Sequence, residues 1–388
     1  MKKLMFVFFM LVGIASVCVA ENSSPSVGWG GTWEYLGGQG IGTDQAALPS
    51  LALDSAGNPT VAYIGNAYVS GHLSVLHWDG DSWQYMGPPE IGNSVNDVSL
   101  ALNGSGYPPI VGYTNGNLSI LRWDGSAWQY VGSPEIVDAT SLSLAVDSTN
   151  NLVVAVVHGD EHELSVLRWD GRSHWEKLGK DMPAVGFHPS LALDSAGNPV
   201  VAYEDEANND KLSVLRWDGS AWQYMGAPGV SEYNVWFPSL KLDSSGNPIV
   251  AYGMNVNEHA EEPDEVSVLR WDGNSWQYVG SPQISDGAAG PASLMLDTNG
   301  APVVACQNWK WQYSANGDSK LAVLRWDGRA WEYIGPRGIA YGAWVSLALD
   351  TSGYPIIGYE DWTTEDDKLS VLLYNGPQNG TKYSPKAQ

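Results

Sequence analysis

One phrase constrains this chain more than any other: SLALDSAGNPVVAY, a variable stretch, and then LSVLRWDGSAWQYMG, found in full between Ser190 and Gly226. Variants of it begin at Ser50, Ser99, Ser143, Ser190, Ser239, Ser293 and Ser346, at steps of 49, 44, 47, 49, 54 and 53 residues. Units of that length cannot bury their own apolar faces and must stack on one another, and the period matches a four-stranded sheet unit. Each unit reads as four strands, a to d, typified by SLALD, PVVAY, LSVLRW and WQYVG. Their apolar residues lie on both faces, as sheets packed between neighbouring sheets require. In the a–b turn, DSAGNP, Asp caps its own turn, Gly supplies positive φ and Pro opens a strand where no ladder N–H is needed. The Asp-Gly of WDGSAW is a hairpin signal between c and d.

Strand counting predicts how the array ends. Six d strands start at Trp83, Trp128, Trp175, Trp222, Trp276 and Trp331, and the seventh, TWEYLG at Thr32–Gly37, precedes the first unit. The last c strand, LSVLLYNG, reaches Gly376 without a d strand after it. The expected fold is therefore all-β: a seven-bladed β-propeller of four-stranded antiparallel blades, closed because residues 32–37 complete the last blade and leave no open edge. The domain is expected over 21–376, with 377–388 as a loose tail. Composition agrees, since 44 Gly, 22 Pro, 19 Trp and 19 Tyr against 5 Phe suit many turns and short strands whose aromatics keep a polar edge.

Seven such units resemble the repeat-derived bacterial propellers that are often secreted, and their architecture is similar to that of propeller lectins. That resemblance implies a fold and supplies no site. The Trp217-Asp218 pair that ends strand c resembles the WD40 repeat, but the Gly-His pair of those repeats is absent.

Residues 1–20, MKKLMFVFFMLVGIASVCVA, read as a secretory signal peptide cut near Ala20, since IASV before Cys18 makes a poor lipobox. No later segment is apolar enough to span a membrane. Leaving out Lys2 and Lys3, 17 basic side chains face 43 acidic ones, a formal charge of −26 that repels nucleic acid and anionic membranes. Cys306 is then alone and is expected as a small apolar residue in a strand.

A tryptophan demanded in every unit is expected to wedge between sheets, with its indole N–H on a carbonyl. The recurring Arg122, Arg168, Arg216, Arg270 and Arg325 have two readings: a partner for a nearby carboxylate or indole, or one member of a repeated ligand site. The turn residues Asp54, Asp194, Asp243 and Asp350 lack calcium-loop spacing and are expected to cap turns.

Function is expected where the copies differ, in the b–c and d–a connections, which share one face. There stand Trp236, Trp309, Trp311, Trp344 and Trp362, with Tyr233, Tyr313 and Tyr341, and carboxylates including Glu258, Glu261, Glu360 and Asp361. Indole platforms beside carboxylates suit a sugar, whose C–H face stacks while its hydroxyls donate. They also suit a basic protein or quaternary ammonium group. The expected ligand-binding set is Trp236, Trp309, Trp311, Trp344, Trp362, Tyr341, Glu360 and Asp361, and the expected partner is a glycan or cell-surface ligand. A glycan-cleaving enzyme is the alternative, with Glu204-Asp205 and Glu360-Asp361 as carboxylate pairs. No cofactor is expected, since no phosphate-binding loop, nucleophile elbow or Cys/His motif occurs. HGDEHE could bind a metal through His158, Asp160 and His162, but three ligands on an acidic loop are a weak signal and no metal is expected.

Overall fold

The computed structural model describes residues 30–67, 69–102, 108–147, 149–159, 161–179, 182–255, 265–287, 290–309 and 319–376. The expected signal peptide and the tail lie outside them, as does Trp311. Among the described residues there is no α-helix, only one 3₁₀ turn at Glu206–Asn208, and no helix long and apolar enough to cross a membrane.

All pairings are antiparallel, and each repeat forms the expected a-b-c-d order, as in Ala46–Leu53, Pro59–Gly65, His72–Trp78 and Trp83–Tyr85. The last sheet takes its fourth strand from the start of the chain. Thr32–Tyr35 pairs with Leu369–Asn375 in the register Thr32↔Asn375 to Tyr35↔Leu372. Units 4 and 5 count as one eight-stranded sheet through a single pairing of Lys211 with Asn234. The same habit recurs elsewhere, where the connection after strand d runs back along the start of strand c: Ile91 pairs with Leu73, Val185 with Glu163 and Tyr341 with Lys320.

The second strands are the most deeply buried, because β-branched residues fill both faces between adjacent sheets. Val200, Val201, Ala202 and Tyr203 are fully buried, and the equivalent Tyr63, Tyr252 and Tyr359 rank with them. Cys306 takes that tyrosine's place in unit 6 and is buried, with burial pushing its thiol up to about 12.

Two sets of hydrogen bonds tie each unit to the next. In the first, the serine that opens each repeat accepts the N–H of the leucine in the following first strand at 2.9–3.0 Å, as in Leu100 to Ser50, Leu144 to Ser99 and Leu240 to Ser190. Leu191, Leu294 and Leu347 donate in the same way to Ser143, Ser239 and Ser293. The seventh bond runs from Leu51 of the first unit to Ser346 of the last.

The second set uses the strand-d tryptophan, whose indole N–H donates to a carbonyl in strand d of the preceding unit at 2.6–3.0 Å. Trp128 reaches Met86, Trp175 Val131, Trp222 Leu178, Trp276 Met225 and Trp331 Val279. Across the junction of last and first units, Trp83 reaches Leu36 and Trp33 reaches Ile334. Within a unit this indole meets the strand-c tryptophan at 5.3–5.8 Å, for example Trp123 with Trp128 and Trp326 with Trp331. In the last unit Tyr374 takes that role beside Trp33. The repeated tryptophans thus hold the sheets to one another.

The uniform turns explain their own residues. Asp54 Oδ1 accepts from the N–H of Ala56 and Asn58, and Asp194 and Asp243 repeat the arrangement. Asp218 Oδ1 accepts from Ser220 and Ala221 N–H in the c–d hairpin. Four of the repeated arginines brace the a–b turns. Arg270 pairs with Asp243 at 2.6 Å, Arg325 with Asp297, and Arg168 and Arg216 donate to the carbonyls of Gly197 and Gly246.

Replacing Trp222 with Phe, which keeps a ring and deletes the N–H, is expected to cost about 1 kcal/mol in urea unfolding. Trp222→Ala, which also empties the wedge, should cost about 3–5 kcal/mol; equal losses for the two would show that the packed ring contributes nothing, and no loss in Trp222→Phe that the hydrogen bond contributes nothing. A second outcome concerns acid. Backbone N–H donors hold Asp124, Asp170 and Asp218 down at about 2. A carboxyl depressed by folding stabilises above its unfolded value of about 3.9, and that contribution fades as pH falls towards 2. The stability gap between the parent chain and Asp218→Ala should therefore be constant above about pH 5 and narrow between about pH 4 and 2, which thermal melts at several pH values will read.

Candidate functional site

The b–c and d–a connections end on the face where the first strands begin, and four of those strands open with a bulge. The register slips between Ala47 and Ser50, Phe187 and Ser190, Trp236 and Ser239, and Ala343 and Ser346. The residue two before the repeat serine then takes a left-handed conformation: Leu48 at φ 47°, His188 at 45°, Phe237 at 47° and Trp344 at 50°. Side-chain-bearing residues seldom adopt this, and bulges of the kind re-aim a side chain.

The re-aimed side chains meet. The His188 and Phe237 rings are 3.9 Å apart between centroids, and Phe237 meets Trp344 edge-on at 5.4 Å and 85°. Phe237 belongs to unit 5 and Trp344 to unit 7, so the contact bridges past the intervening unit. Glu204, at the end of its second strand and 5% exposed, fixes the group from below. Its Oε1 lies 2.7 Å from His188 Nδ1 and accepts the Phe237 N–H at 2.7 Å.

Asp97 holds the corresponding sequence position in unit 2. Its Oδ2 accepts the N–H of Leu142 and its Oδ1 that of Val98, both at 2.8 Å. Burial pushes its carboxyl up to about 6, against the pull of those bonds and of the His188 charge. A histidine, two carboxyl groups and two aromatic rings are thereby gathered at one end of the first strands.

A second aromatic group lies outward of the first. The Trp362 N–H donates to the Tyr341 carbonyl at 3.2 Å, placing the b–c connection of unit 7 against the d–a connection before it. Tyr341 is 38% and Trp362 40% exposed. Tyr341 pairs with Lys320, whose ammonium stands 5.0 Å from the Tyr341 ring centre. Trp309 ends its strand opposite Ser319, the neighbour of Lys320. Backbone pairing thus brings Trp309, Tyr341 and Trp362 along one rim. Trp236 is 45% exposed and adjoins Phe237 in the chain.

The two carboxylates of the expected set lie inside the protein. Glu360 is 1% exposed. Asp361 accepts from Tyr359 and Ser370 hydroxyls and the Gln39 amide through Oδ2, and from Thr363 N–H and hydroxyl through Oδ1. Burial alone would raise its carboxyl, but the sum of these bonds holds it below the usual range. Asp205 is bound in the same way by Ser213, Asn208 and Tyr203.

His158 and His162 turn to different partners, Ser165 Oγ at 2.9 Å and Glu206 Oε2 at 2.9 Å; Asp160 lies outside the described residues. Arg122 lines an open groove on the opposite, c–d hairpin, face with Trp123, Tyr130, Trp169 and Arg172. Reading for surplus tryptophans found Trp344 but missed His188, Phe237 and Asp97. Their signal was positional, since each stands two residues before a repeat serine.

No protein-family profile matches the chain, and no curated protein does. Solved structures do resemble it. An ulvan lyase, described as a new family of polysaccharide lyase, superposes with a TM-score of 0.58 at 12% identity, covering 89% of this chain and 96% of its own. A protein of unknown function from Dyadobacter fermentans gives 0.50 at 14% identity over 89% of this chain and 98% of its own. The Aleuria aurantia lectin, with a fucose-containing ligand, reaches 0.47 at 16% identity over 74% and 94%. At these identities the likeness concerns architecture, which is all-β and of propeller type.

Proposed function

We propose that this chain is a secreted seven-bladed propeller, closed by its first strand, that binds carbohydrate through the face carrying the b–c and d–a connections of units 5–7. The ring spans 21–376 after loss of residues 1–20, and 377–388 form its tail. Two series of bonds support closure, each with seven members that return from the last unit to the first. The observation that carries the binding reading is the pair of exposed rings Tyr341 and Trp362, held together by a backbone bond in loops that differ from unit to unit. Solvated rings stack on sugar C–H faces at little ordering cost once their backbone is fixed. Trp236 and Trp344 extend the surface, with Trp309 and Trp311 of the same connections assigned to it from the sequence, while Glu360 and Asp361 anchor its floor. Without residues 1–20 the chain carries a formal charge of −26, 17 basic against 43 acidic side chains, and repels polyanionic glycans, so neutral or amino sugars are the preferred class. Capture of a basic protein by the same acidic face is the competing binding mode, and salt sensitivity distinguishes it.

A second reading, glycan cleavage, is favoured by the His188–Glu204 contact beside the raised Asp97 carboxyl. An imidazole oriented by a carboxylate is a competent general base, and a carboxyl near 6 a competent acid. The architecture shared with the polysaccharide lyase is compatible with that chemistry.

On a glycan array the purified protein is expected to bind a restricted set of sugars, and Trp362→Ala or Tyr341→Ala to weaken this at least tenfold while melting temperature holds. A blank array refutes carbohydrate recognition. For the second reading, bound oligosaccharides should yield shorter products that disappear in His188→Ala; intact sugar after prolonged incubation leaves binding alone.

A further inference from the structure

We infer that the first unit holds a site for a divalent transition-metal ion, with Asp44, His72 and Glu90 as ligands. These residues lie on three segments that pairing draws together. Asp44 precedes the first strand of unit 1, next to Gln45, which pairs with Lys368. His72 opens the third strand, and Glu90 follows the fourth, beside Ile91, which exchanges both backbone bonds with Leu73 at 2.8 and 2.9 Å. One donor atom from each lies within 4.8 Å of the other two.

The histidine supplies the independent reason to see a ligand here. His72 is 5% exposed, yet its Nε2 makes no hydrogen bond. Asp44 Oδ2 is 3.0 Å away but off the direction a ring N–H would need, so a simple hydrogen-bonded pair does not account for the contact. Bond lengths of about 2.0–2.2 Å put the ligands of one ion about 3–4 Å apart. The His72–Asp44 spacing already meets that, and Glu90, exposed, needs a shift of under about 1 Å.

Gly65 leaves the room: a Cβ there would stand 2.4 Å from His72 Nε2. Other units carry Asp205 or Asp361 at the paired position, so unit 1 has exchanged an internal hydrogen-bond hub for an imidazole facing two acids. One nitrogen and two carboxylates suit Zn²⁺ or Mn²⁺, whereas Ca²⁺ and Mg²⁺ prefer oxygen alone. An ion here would clamp the connections on both sides of unit 1 to its third strand. The residues differ from the HGDEHE set, and the site revises the expectation of no metal.

The test uses the untagged full chain stripped with a chelator and titrated calorimetrically with Zn²⁺, Mn²⁺ or Ca²⁺ alone. One Zn²⁺ per chain is expected, with affinity falling at least tenfold in His72→Gln and in Glu90→Gln. Because Glu90 is exposed, that variant folds and keeps the test decisive. No saturable Zn²⁺ binding, Zn²⁺ binding unchanged in Glu90→Gln, or tighter binding of Ca²⁺ than Zn²⁺ would each overturn the assignment. Glycan binding by Trp362→Ala is read separately, so either conclusion can fail without the other.

Discussion

The bond from each leucine N–H to the serine of the preceding repeat is the constraint on which the rest depends. First strands expose one edge that no neighbour in their own sheet can pair. An unsatisfied N–H there would cost about 1–3 kcal/mol in every unit. The serine hydroxyl answers that need with the shortest side chain available and fixes the axial step between sheets. The indole bonds do the same at the outer strands, so each sheet is held at its inner and its outer edge. With both edges fixed, the valine-rich second strands are buried on both faces and the connections are free to vary.

That division of labour separates the two faces. On one, aspartates and arginines bind each other and the turn amides, and an open groove is lined by Arg122 and Arg172. On the other, strands start late, bulge and carry unlike connections. The left-handed residues Leu48, His188, Phe237 and Trp344 store strain of about 1–2 kcal/mol each, which is sustained by the stacked sheets beneath.

Much of the fold was legible because it is written seven times. A serine before every leucine-rich strand, a tryptophan after every Asp-Gly turn and a strand too many at the start dictate sheet order, the inter-unit wedge and the pairing of Thr32–Tyr35 with Leu369–Asn375. The candidate site was legible only as surplus aromatics. His188 and Phe237 look like ordinary strand residues until a bulge turns them, and the bulge depends on one added residue that the repeat pattern hides. Nor does spacing reveal that Asp361 is saturated by four neighbours or that Asp44, His72 and Glu90 converge, because both follow from where connections fold back over strand starts.

Pairing the first strand with the last also has a temporal meaning. On the ribosome Thr32–Tyr35 emerges hundreds of residues before its mate, Leu369–Asn375. Completion of that sheet thus waits until the seventh unit has been made. A chain interrupted by premature termination keeps a raw backbone edge that proteolytic surveillance can recognise.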